Sequence, residues 1–108
     1  MGPEIDVQTF AAAQADGALI VDVSEPREYL DGHVPGAVLM PLPQVLARQS
    51  ELLQRRPVFV VCVSGLRSRT VTDWLRARGI EAVSVAGGTT AWAAHGHPVV
   101  RGPTASAT

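Results

Sequence analysis

The chain has 108 residues, 46% of them hydrophobic, a formal net charge of −1 and one cysteine. That length and composition describe one globular domain able to bury a core, and exclude a disordered chain. The small net charge gives no reason to expect nucleic acid or an anionic membrane as partner. No apolar run is long enough for a spanning helix, and a lone cysteine rules out an internal disulfide.

In chain order, Met1 to Asp6 lack the basic and apolar regions of a secretory signal, so a cytoplasmic location is expected. Ile5-Asp6-Val7 is a weak strand candidate, and Ala18-Leu19-Ile20-Val21-Asp22-Val23 reads as a buried strand. Ala37 to Met40 is a second weak strand. After the Pro41-Leu42-Pro43 turn, Val45, Leu46, Leu52 and Leu53 predict a helix over about 42–55. Val58 to Val61 is an unbroken apolar strand. Val71, Trp74 and Leu75 share one face of a helix predicted over 67–78, with Arg76 and Arg78 at its negative end and Gly79 to stop it. Ala82 to Val85 reads as a strand. A short helix over 89–95 follows the Gly87-Gly88 turn and carries Trp92 as a core residue. Residues 1–101 are expected to form the domain and 102–108 a flexible tail. Alternation of strands and helices predicts an α/β fold: a central, mostly parallel sheet of about five strands with helices on both faces. Sites in such sheets form outside the C-terminal ends of the strands.

Cys62 stands at such an end, followed by Val63-Ser64-Gly65-Leu66-Arg67-Ser68. A free cysteine often serves as a small hydrophobe, but a packing cysteine belongs inside the apolar run rather than before a glycine loop. A loop and helix start here aim backbone N–H groups at one sulfur, and their positive field favours the nucleophilic thiolate and any anion attached to it. Gly65 permits the required backbone turn. Arg67 in the first helical turn opposes the helix dipole, which points to an anion-binding role. The Ser68 hydroxyl is expected either to begin the helix or to donate toward the sulfur. Partial exposure of the thiol is expected as well. Asp22 reads as a brace at a strand end, and His33, between Gly32 and Val34-Pro35-Gly36, as a turn brace. No pair of His33, His95, His97 and Cys62 has metal-ligand spacing, so no metal is expected.

Three blocks together resemble the rhodanese-like family: Asp22-Val23-Ser24-Glu25-Pro26-Arg27-Glu28-Tyr29 with Gly32-His33-Val34-Pro35-Gly36-Ala37; Cys62 to Ser68; and Gly87-Gly88, Trp92, Gly96 and Pro98. The likeness spans about residues 5–100, in the single-domain form, and implies a rhodanese-like three-layer sandwich. It also implies a sulfurtransferase in which Cys62 takes a sulfane sulfur from a donor such as thiosulfate, holds it as a persulfide, and yields it to cyanide, a thiol or a sulfur-accepting protein. N–H groups of Val63 to Arg67 would stabilise that anion. No metal, nucleotide or flavin is implied. Where family members often carry an arginine that braces the loop and nearby acidic residues, this chain has Ser24, and Arg27 is the nearest substitute. Two other readings stand beside this one. A phosphatase or arsenate reductase of the same fold would carry a longer loop than the six residues from Cys62 to Arg67. A relay module would pass sulfur to one protein only. The apolar side chains of Val63 and Leu66 leave the rim without a second cation, so modest affinity for thiosulfate is expected.

Overall fold

A computed structural model describes residues 3–105. From the N-terminus the elements are β1 (Glu4–Ile5), α1 (Val7–Ala15), β2 (Leu19–Asp22), α2 (Pro26–Asp31), β3 (Val38–Leu39), α3 (Leu42–Leu52), β4 (Val58–Val61), α4 (Leu66–Arg76), β5 (Ala82–Val85) and α5 (Gly88–Ala94). The strands form one five-stranded sheet in the order β1-β5-β4-β2-β3, and every pair in it is parallel. The predicted α/β class and the layered arrangement are as observed.

All four residues of β4 are buried, which a strand with one wet face could not achieve. Strand alternation divides them between two cores. Val58 and Val60 join Val21, Val71 and Leu75 under α3 and α4. Phe59 and Val61 join Phe10, Ile20, Tyr29 and Trp92 under α1, α2 and α5. In the second core the Phe10 ring lies 5.5 Å from those of both Phe59 and Trp92, within the range of favourable aromatic pairing.

Two helices were not visible in the sequence pattern. α1, Val-Gln-Thr-Phe-Ala-Ala-Ala-Gln-Ala, buries only Val7 and Phe10, so it has almost no apolar stripe; alanine propensity and the Asp6 cap, whose carboxylate accepts the Thr9 N–H at 2.8 Å, sustain it. Asp6 thereby ends the strand expected to continue to Val7. α2 is only six residues long and is nucleated by Pro26 and a reciprocal Glu25–Glu28 capping box. Beyond residue 101, the Gly102 N–H donates to Leu30 O at 3.0 Å and Ala105 O accepts the Gly36 N–H at 2.7 Å. The remainder of the expected tail, 106–108, lies outside the described residues.

Leu75 is fully buried between α4 and the sheet. Leu75→Ala removes its side chain from a packed layer and is expected to lower unfolding free energy by about 2–5 kcal/mol, read from urea denaturation.

Candidate active site

The parity of β4 decides where the thiol points. Cys62, one residue beyond the strand, belongs to the same core as Val58 and Val60, on the side where α4 begins. Gly65 then adopts φ +94° and caps α4, a left-handed conformation open to glycine. This reversal brings the Gly65 N–H to 3.1 Å from Cys62 Sγ, and the Ser68 N–H in the first helical turn lies 3.4 Å from the same sulfur. Two main-chain donors therefore converge on Sγ. The sulfur is 0% exposed, so the expected partial exposure is absent: the side chain packs in the aliphatic layer while the loop closes over it.

A second loop fixes the first. The Thr89 N–H donates to Cys62 O at 2.9 Å and the Thr90 N–H to Val63 O at 3.0 Å. These bonds require very close backbone approach. A Cβ on Gly88 would lie 2.0 Å from Cys62 O, and one on Gly65 would lie 2.8 Å from Gly87 N. The glycine pair read as a simple turn is thus the seat of the active loop. Ser68 and Ser84 add a buried tie, with 2.8 Å between their hydroxyl oxygens.

The remaining predicted residues divide. The Ser68 hydroxyl donates not to sulfur but to Gly65 O, at 3.1 Å; it is the main-chain N–H of Ser68 that serves the sulfur. Val63 is half-buried, Ser64 exposed, and Leu66 projects from the loop at 67% exposure. Arg67 does not aim at the sulfur. Its Nη1 and Nη2 donate to the two Glu28 oxygens at 2.7 and 3.0 Å. This fork holds the Glu28 carboxyl below its ordinary range and raises the guanidinium. Both side chains are about 40% exposed or less than that for Glu28, so the pair contributes only about 0.2–1 kcal/mol to folding. Glu28 was not singled out as a site residue, although it stands within the quoted Asp22–Tyr29 block.

Asp22 and His33 have partners other than the sulfur. Asp22 is 1% exposed, follows Ile20 toward the α1, α2 and α5 layer, and accepts the Ser24 N–H at 2.9 Å. Its carboxyl is pushed up by burial, against the opposing pull of the Ser24 hydrogen bonds and of His33 and Arg67. Arg27 is exposed on α2. His33 is fully buried, stacked on Tyr29 with ring centroids 3.6 Å apart, its ring nitrogens 2.7 Å from Tyr29 O and 2.8 Å from Thr104 O. A cavity of about 360 Å³ adjoins the loop at Val63 and is edged by Glu28 and Asp31. Among the described residues no group of three or more His, Cys, Asp or Glu side chains is arranged to hold a metal ion, and no helix is long and apolar enough to cross a membrane.

The fold is an α/β sandwich with a thiol at the end of a central parallel strand, faced by the amides of a glycine turn and a helix start. Residues 6–95 match the rhodanese-like domain model. The chain is 36% identical over 100 residues to a sulfurtransferase of Allochromatium vinosum, covering 90% of this chain and 94% of that protein. It is 31% identical over 88 residues to the thiosulfate sulfurtransferase GlpE of Pseudoalteromonas translucida, with 81% of this chain and 84% of that one covered. Among solved structures, a thiosulfate sulfurtransferase from Pseudomonas aeruginosa superposes with a TM-score of 0.86 at 27% identity, over 99% of this chain and 21% of that one. The chain belongs to the rhodanese-like sulfurtransferase family.

Gly88→Ala is expected to destabilise the fold, because the new Cβ would fall 2.0 Å from the Cys62 carbonyl oxygen. Urea denaturation should register a loss of at least about 1–2 kcal/mol from the left-handed backbone alone. Asp22 generates a pH prediction. Its folded-state value is raised, so its stabilising contribution is complete below the unfolded value of about 3.9 and is lost as pH rises through the folded value. Asp22→Asn keeps an acceptor for the Ser24 N–H without a charge. Its stability relative to the parent should therefore increase between about pH 4 and neutrality, measured by urea denaturation at several pH values; a constant difference would contradict the buried-carboxyl account.

Proposed function

We propose that this protein moves a sulfane sulfur from a donor such as thiosulfate to a thiophilic acceptor through a persulfide on Cys62. The Cys62 sulfur attacks the outer sulfur of the donor; the donor S–S bond breaks, sulfite leaves with its electron pair, and a new S–S bond forms on Cys62. Attack on the outer sulfur by cyanide or a thiolate then returns Cys62 as thiolate. The observation that carries this reading is the convergence of the Gly65 and Ser68 N–H groups on Cys62 Sγ. Donors fixed in a dry site stabilise charge at the sulfur without reorganising, and the loss of one such donor in other enzymes costs on the order of 3 kcal/mol in the barrier. The first-turn amides of Leu66 and Arg67 have no partner within α4 and are the remaining candidates to hold the outer sulfur.

A second reading makes the acceptor a protein. It is favoured by Leu66, which presents an apolar side chain to solvent at the loop, and by 35% identity over 83 residues to a putative sulfur carrier protein of Bacillus subtilis, covering 75% of this chain and 45% of that one.

The test is thiocyanate formation from thiosulfate and cyanide, beside intact-protein mass. Ping-pong kinetics are expected, with a gain of one sulfur that cyanide removes and with both signals absent in Cys62→Ser. Equal rates in the two proteins would reject Cys62 as the nucleophile. A stable persulfide with slow thiocyanate formation would select the protein acceptor.

A further inference from the structure

The guanidinium of Arg67 is the cation nearest the sulfur in sequence, since the next residue supplies the Ser68 N–H that faces Sγ. Both of its ends are occupied by Glu28. Glu28 is itself anchored, because its Oε1 also accepts the Glu25 N–H at 2.9 Å in the capping box that begins α2. The carboxylate is therefore held at the loop by two elements rather than swinging as a solitary surface side chain. It also edges the cavity that adjoins the loop at Val63, with Asp31 beside it. The loop guanidinium is thus already paired, and the cavity beside Val63, which neither Cys62 nor Arg67 lines, carries Glu28 and Asp31 in its wall.

We infer that Glu28 is a specificity-determining residue that restrains anionic donors by competing with them for Arg67. In naming thiosulfate as one such anion, this inference rests on the sulfurtransferase reading. The competition is electrostatic. Glu28 in its fork lowers the net charge that the loop offers to an incoming anion and leaves a neutral reagent almost unaffected. Arg67 becomes available only when the carboxylate charge is removed or the incoming anion displaces it.

The experiment compares alkylation of Cys62 by iodoacetate, an anion, with alkylation by neutral iodoacetamide, in the full chain. The ratio of the two rates cancels differences in thiol reactivity and access. Glu28→Gln keeps the volume and the capping-box hydrogen bond while removing the charge. It should raise the iodoacetate-to-iodoacetamide ratio by about threefold at low ionic strength, with a smaller rise in high salt. The rise should vanish when Arg67→Gln is added. In the thiocyanate assay Glu28→Gln should lower the thiosulfate KM by a similar factor and leave kcat nearly unchanged. An unchanged or lower ratio, or a raised KM, would overturn the inference and leave Glu28 as a brace that holds Arg67 in place. The two readings fail separately. A raised ratio with neither thiocyanate nor a one-sulfur mass gain supports the charge restraint and removes the sulfur-transfer reading; thiocyanate formation with an unmoved ratio and KM does the reverse.

Discussion

The site depends on two loops touching through bare backbone. Cys62 O and Val63 O are held by the Thr89 and Thr90 N–H groups across a gap that admits no side chain at Gly88. The parity of β4 aims the thiol, and that contact seats the loop above it. It sets the height of the loop above the sheet, and from there the left-handed Gly65 can turn its amide back toward Sγ. The Ser68–Ser84 tie fixes the start of α4 against β5, so the second donor cannot drift away.

The electrostatics are arranged differently from what the residue types suggest. Arginine in the first turn of a helix is unfavourable by the dipole, which points toward an anion as its partner. The partner is an anion, but an internal one, Glu28. Main-chain donors rather than a side-chain cation therefore face the thiol. The Ser24 N–H, not a side-chain cation, donates to Asp22. The loop arginine and the α2 glutamate then satisfy each other across the mouth of the site.

Much of this was legible in the residues. β4 is a continuous apolar run, β2 and β5 are apolar but for Asp22 and Ser84, and α4 carries a clean stripe ended by Gly79, so these four elements follow from pattern alone. Cys62 at the end of such a strand, before a glycine, is the candidate that the sequence offers. α1 was hidden because its packing relies on two side chains and alanine propensity, which leaves no periodic signal. The Arg67–Glu28 fork joins residues thirty-nine positions apart on different elements, and nothing in either local segment announces it. The burial of Sγ was likewise invisible, because the local sequence suits both a lining and a reactive cysteine; closure of the loop over the sulfur is a tertiary effect. The Ser68 result shows the same limit, since a hydroxyl and an amide of one residue compete for one role and only three-dimensional placement decides between them.

The planarity of the peptide unit gives the loop–loop contact a further consequence. In a trans peptide the carbonyl and the N–H of one unit point in opposite directions. Anchoring Cys62 O and Val63 O on the α5 turn therefore commits the N–H groups of Val63 and Ser64 to the far side of the chain. The bearing of these two N–H groups is thus written into the chain direction rather than into any titrating group.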